Sequence, residues 1–195
     1  MNRKKMSTQT LVLGAVMTAL VIVVQLISSY TTFFGPFSTA LALIPIVIGA
    51  ALCGRAVGAW LGFVFGTVVL LSGGAALFWA FDIPGTLITV LAKGTLCGLA
   101  AGVVYKLLEK FNTYVAVVGA AIVCPIVNTG VFMLGCFVFF MDDAVKIAQA
   151  IESNATGMAL FVAMALGNFL FELGANIVLS PIVVRLLNIR KSGSR

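Results

Sequence analysis

The chain has 195 residues, 62% of them hydrophobic and only 9% charged, where an ordinary soluble domain carries about a quarter charged. A mean hydropathy of +1.18 and apolar runs at 11–27, 40–53 and 115–127 exceed what a soluble core of this size can hide, which makes the chain an integral membrane protein. It contains no histidine, which excludes Ser-His and Cys-His nucleophile pairs, imidazole metal sites and histidine-ligated haem.

Apolar blocks between breakers place six helical spans at about 10–29, 39–53, 56–72, 85–108, 114–141 and 157–187, forming one all-α membrane domain over 1–195. The first block lacks a small-residue cleavage pattern after it and reads as a retained span rather than a signal peptide. It carries Ala15 and Ala19, four apart, a small-xxx-small face that permits close helix contact inside the bundle or with a partner. Gln25 lies near its outer end. The second and third blocks are separated only by "CGRAVG", and Gly54-Arg55 is the natural turn between them. The second span is short, about 22 Å by helical rise. The third repeats Gly58, Gly62 and Gly66 at spacing four, and Pro84 opens the fourth.

Charge gives the orientation. With six spans, Arg3, Lys4, Lys5, Arg55, Lys106, Lys110, Arg185, Arg190, Lys191 and Arg195 gather on one side, and Lys146 stands on the other with Asp82, Asp142, Asp143 and Glu152. Ten cations against one is a strong positive-inside signal, so both termini are expected in the cytoplasm. The net charge of +6 belongs to topology and does not point to nucleic acid. The outer connections are long and aromatic or polar. Tyr30, Phe33, Phe34, Phe78, Trp79 and Phe81 there fit two readings, an interfacial belt or a lid over an outward-facing pocket.

Polar residues inside the spans are few: Gln25, Lys93, Asn128, Thr129, Asn168, Glu172 and Asn176. A buried ionisable group in a membrane costs about 2.5–3.5 kcal/mol or more, so such groups pair or line a cavity. At ~1.5 Å per residue from each outer helix end, Lys93 lies ~13 Å deep, Asn168 ~16 Å, Asn128 ~20 Å and Glu172 ~22 Å. Three helices thus offer polar groups in one slab. Asn168, Glu172 and Asn176, each four apart, share one helix face. Two arrangements are compatible with this: a Lys93–Glu172 ion pair that clasps helices four to six, and a pocket for a small polar molecule. A lone membrane carboxylate without histidine is a poor proton relay, although a stand-alone proton-coupled carrier of a small polar solute is the alternative. Cys53, Cys97, Cys124 and Cys136 lie in apolar stretches without close pairing and read as small buried hydrophobes, not disulfides or metal ligands.

The chain has no P-loop, no paired carboxylates and no inverted repeat, so it is not expected to be an enzyme, and any energy for accumulation comes from another chain. In these respects the chain resembles the substrate-binding (S) component of energy-coupling factor (ECF) transporters, the vitamin-uptake family of prokaryotes. "ALIPIVIGAALCGRAVGAWLGFVFG" resembles the family's second-to-third helix passage, "PGTLITVLAKGTLCGLAAGVVYKLLEK" its fourth helix, and Ala15-xxx-Ala19 its alanine motif. The resemblance implies capture of a vitamin or related micronutrient from outside, at a site lined by helices four to six. The buried polar residues named above, Lys93, Asn128, Thr129, Asn168, Glu172, Asn176 and Gln25, are then the candidate substrate contacts. The outer aromatics Tyr30, Phe33, Phe34 and Trp79 are the candidate lid, which the resemblance places chiefly in the loop after the first helix. The resemblance also implies a membrane coupling subunit touching Ala15 and Ala19, two partner ATPases that use the ATP, no cofactor or metal in this chain, and a prokaryotic plasma-membrane location. Lys93 could receive a carboxylate and the asparagines hydroxyls or amides, which suits a pantothenate-like acid; riboflavin, folate and pyridoxine-like compounds remain alternatives.

Overall fold

A computed structural model of the chain describes residues 7–30, 41–140, 146 and 158–192; the side chains of 30, 158–164 and 190–192 fall outside that description. The described residues form α1 (Thr8–Tyr30), α2 (Leu43–Cys53), α3 (Arg55–Leu71), α4 (Ala76–Trp79), α5 (Ile83–Leu108), α6 (Thr113–Phe139) and α7 (Met158–Ser192), with no strand among them. Six of these follow the expected spans to within a few residues, and α7 runs further past its expected end. The seventh, α4, is a single turn within what the sequence presents as an outer loop.

Local chemistry sets the boundaries. Gly54, at φ 91°, takes a left-handed conformation that a side chain would resist, and it breaks α2 from α3. The Asp82 carboxylate accepts a hydrogen bond from the Gly85 amide at 3.1 Å with Pro84 in the first turn, so α5 starts on a capped N-terminus. The Asn112 side chain caps α6 in the same way, accepting from the Tyr114 amide at 2.7 Å.

Among the described residues, four helices are long and apolar enough to cross a membrane: α1, α5, α6 and α7. Helix α2 has 11 residues and α3 has 17, so α2 rises only about 16 Å, well short of the ~30 Å hydrocarbon core. Helix α2 is instead buried at the centre, where Leu43, Ile46, Val47 and Ala50 meet Leu61 and Phe65 of α3 and Val117 and Ala121 of α6 in one core cluster. Helix α1 lies at the edge and packs mainly on α2 and α3. Leu11, Val12, Val16, Leu20, Val23 and Ile27 on it stay exposed, as lipid permits.

Helices α3 and α5 approach along a glycine seam. A β-carbon at Gly62 would run into the Gly94 carbonyl, one at Gly98 into the Gly58 carbonyl, and one at Gly66 would lie 2.8 Å from the Val90 carbonyl oxygen. Backbones this close gain van der Waals contact, the main source of helix association where lipid and side chain are equally apolar. Several hydroxyls in the helices are satisfied within their own helix, although Thr89 Oγ1 of α5 is buried without a partner. Thr18, Ser28, Ser29, Thr67, Thr95 and Ser180 each donate to a carbonyl four residues back at 2.7–3.0 Å.

The seam makes a paired prediction. Gly62→Ala should lower thermal stability in detergent by about 1–3 kcal/mol, the usual cost of overpacking. Gly130→Ala, where an added β-carbon meets nothing within 4 Å, should leave it unchanged or slightly raised. Unfolding followed by intrinsic fluorescence separates the two; equal effects would mean the seam is not tightly packed.

Candidate functional site

Glu172, on α7, is 1% exposed, and both of its carboxylate oxygens are held by asparagine amides. Asn128 on α6 donates through Nδ2 to Oε2 at 3.2 Å, and Asn168, one turn earlier on α7, donates through Nδ2 to Oε1 at 2.8 Å. An ionised carboxylate only accepts, so each amide must turn its NH2 toward Glu172 and its oxygen away. Asn128 Oδ1 and Asn168 Oδ1 are buried and have no partner in the structure.

These groups stand on the wall of one cavity, whose lining also includes Lys93 of α5 and Thr129 of α6. The Lys93 ammonium lies over the Phe132 ring, 4.9 Å from its centroid, a cation–π placement. Phe65 and Val69 of α3, Val90 of α5, Ala165 of α7 and Gly74, Ala75 and Phe78 complete an apolar wall. Phe78 stands edge-on to Phe132 with centroids 5.4 Å apart, and packs on Phe140 at 5.3 Å. About 40 Å³ is open to the centres of water-sized spheres, room for ordered waters but not for a solute of vitamin size.

Of the candidate substrate residues, then, Lys93, Asn128, Thr129, Asn168 and Glu172 come together from three helices. Asn176 and Gln25 do not line the cavity. Asn176 is buried and commits its Nδ2 to the Glu172 backbone carbonyl at 2.8 Å, within its own helix. Gln25, fully buried in α1, reaches Ser29 at 3.5 Å, and Ser29 in turn bonds Ser72 at 2.8 Å, a polar link between α1 and the end of α3. Among the lid positions, Phe33 and Phe34 lie outside the described residues, as does the Tyr30 side chain. Trp79 packs on the main core, while its neighbour Phe78 is the aromatic that faces the cavity.

Phe65 and Phe132 are lining residues that sequence reasoning did not assign, whereas Phe78 was among the outer aromatics read as belt or lid. For Phe132 a signal existed: it follows Asn128 by four and Thr129 by three, so it shares their helix face. Nothing in the local sequence of α3 marks Phe65 apart from its neighbours.

A second concavity, about 420 Å³ and almost wholly apolar, lies between α1 and α3. Thr10, Gly14, Ala15 and Thr18 form one side and Ala56, Val57 and Trp60 the other, with Trp60 Nε1 donating to Thr18 Oγ1 at 3.3 Å. Ala15 lines this groove, and Ala19 is exposed one turn further along α1.

Removing one amide from the buried carboxylate should cost about 1–3 kcal/mol, the penalty for an under-solvated polar group. Asn128→Leu is expected to fall in that range, and Asn128→Leu with Glu172→Leu to cost less than the sum of the single changes. A double-mutant cycle on thermal unfolding measures the coupling; strict additivity would show that the Asn128–Glu172 bond does not hold α6 to α7.

No curated protein and no solved structure matches the chain. The family model for the ECF transporter substrate-specific component matches residues 9–184, nearly the whole length of the sequence. With its apolar helices and a polar cavity enclosed among them, the chain belongs to the substrate-specific components of ECF transporters, a family of multi-pass membrane proteins that bind substrate and are not typically enzymes.

Proposed function

We propose that this protein is the high-affinity binding subunit of an ATP-driven importer in a prokaryotic plasma membrane, crossing six times with both termini cytoplasmic. It captures a vitamin or related micronutrient from outside through Lys93, Asn128, Thr129 and Asn168, with Glu172 on the same wall holding both asparagines. Pantothenate, which combines a carboxylate with hydroxyl and amide donors, suits this inventory best, ahead of riboflavin, folate or pyridoxine-like compounds. A separate coupling subunit docks on the Ala15/Ala19 face of α1, and two ATPases supply the energy. The observation that carries this reading is the meeting of polar side chains from α5, α6 and α7 around one cavity, in a chain of this family.

Admitting such a solute requires one wall to yield. Helix α4 is the shortest element on that wall, one turn preceded by Gly73 at φ 79° and by Gly74. Its outward movement would carry Phe78 away from Phe132 and enlarge the space beside Lys93.

Reconstituted vesicles test the reading. Lys93→Ala should weaken binding of radiolabelled pantothenate at least about tenfold while leaving a folded protein, as loss of a charged hydrogen bond does. Ala15→Trp and Ala19→Trp should keep that affinity and lose ATP-driven uptake in the presence of the coupling module. Uptake by this chain alone under a proton gradient, without ATPase partners, would instead support a stand-alone carrier.

A further inference from the structure

The bonding around Glu172 constrains the substrate more closely than its residue inventory does, and this inference rests on the substrate-binding reading above. We infer that Glu172 is a positioning residue, which fixes Asn128 and Asn168 with their carbonyl oxygens free to accept, so that the site selects a molecule presenting N–H or O–H donors to both. Glu172 takes one Nδ2 on each carboxylate oxygen, from Asn128 at 3.2 Å and from Asn168 at 2.8 Å. Rotating either amide by half a turn would set an oxygen against the carboxylate, which is repulsive, so neither can rotate while Glu172 is charged. Both Oδ1 atoms are buried and unpartnered, and both residues line the cavity. A buried acceptor without a donor is costly, so a guest that supplies two donors gains what the empty site lacks.

Lys93 sets the opposite condition. Its ammonium has only donors to offer, and it lies on the same cavity over Phe132. The substrate class is therefore a small molecule with at least two hydroxyl or amide donors on one side and a carboxylate or carbonyl acceptor on the other. Its apolar body rests on Phe65, Phe78 and Phe132. A polycarboxylate without hydroxyls, or inorganic phosphate as its dianion, meets the Asn oxygens with acceptors and is rejected.

A polarity swap tests this. In Glu172→Gln the introduced amide must find an acceptor, so one asparagine turns over and shows the cavity its NH2 instead of its oxygen. Combining Asn128→Asp with Glu172→Gln reverses one bond: the introduced amide donates to the introduced carboxylate, while its carbonyl oxygen still accepts from Asn168. The cavity then again sees two acceptor oxygens, at unchanged total charge. The probes are pantothenate, riboflavin, folate and pyridoxine, any compound released on denaturing the purified wild-type protein, and tricarballylate as the donor-free control. Binding is read by calorimetry and folding by thermal unfolding.

The expected result is wild-type binding of a donor-bearing probe and none of tricarballylate, a loss of at least about tenfold in Glu172→Gln, and recovery to within about threefold in the double variant. Wild-type binding with no recovery in a folded double variant would overturn the positioning role and place Glu172 against the substrate itself. Binding of tricarballylate would overturn the donor requirement. A wild-type protein that binds none of the probes and releases no compound would bring down the substrate-binding reading, and this inference with it.

Discussion

A carboxylate buried in an apolar helix bundle is the constraint on which the rest of the site depends. Glu172 alone in hydrocarbon would be prohibitively unfavourable, yet two amide donors reach it, one from its own helix and one from α6. The bond to Asn128 ties α6 to α7, and the bond to Asn168 stays within a single turn of α7. Because the carboxylate can only accept, the same two bonds decide which way each amide faces. A local electrostatic necessity thus becomes the chemical character of a cavity wall.

That wall holds its shape because the helices behind it are closely packed. The seam of Gly58, Gly62 and Gly66 against Gly98, Gly94 and Val90 brings α3 and α5 together with no side chain between their backbones. Lys93 is the immediate neighbour of Gly94, about 100° around the helix, so the face that meets α3 and the face that carries the ammonium are set together. The same approach brings Phe65 and Val69 of α3 to the cavity. Widening the seam would displace the lysine and the aromatic wall at once. The short, buried α2 supports this arrangement from behind with Leu43, Ile46 and Val47.

Much of this was legible in the sequence, for physical reasons that can be named. Hydrocarbon demands long apolar runs, and caps and breakers such as Gly54, Asp82, Pro84 and Asn112 mark their ends, so helix positions could be read directly. Depth along a helix is arithmetic, which is why Lys93, Asn128, Asn168 and Glu172 could be put in one slab. Rotation about each helix axis relative to its neighbours is set by packing, which no local pattern encodes. That explains Asn176, which shares the helical stripe of Glu172 yet bonds only its own backbone, and Gln25, equally polar and buried but directed to Ser29 beside Ser72. It also explains why Phe78 faces the cavity and the adjacent Trp79 does not: in a single helical turn, one residue changes the direction by about 100°.

The two concavities lie on different elements, and among the described residues only α3 lines both. Its first turns, at Ala56, Val57 and Trp60, form the groove against α1, and Phe65 and Val69 in its second half face the polar cavity. Helix α1 packs on α2 and α3, while Asn128, Asn168 and Glu172 stand on α6 and α7. A force applied to α1 by another membrane protein therefore has its shortest route to the cavity through α3. Glycine contacts hold α3 against α5 without flexible side chains to absorb a displacement, and a packed interface of that kind transmits a shift rather than damping it. The Ser29–Ser72 bond adds a second tie between α1 and the far end of α3, so movement of α1 relative to α3 must break a polar contact that has few replacements in an apolar surrounding. Rigid-body motion of α1 and α3 together is accordingly less costly than sliding between them. Any coupling between the outer helix and the site would run through α3 and its glycine contacts with α5, not as a local rearrangement of α1.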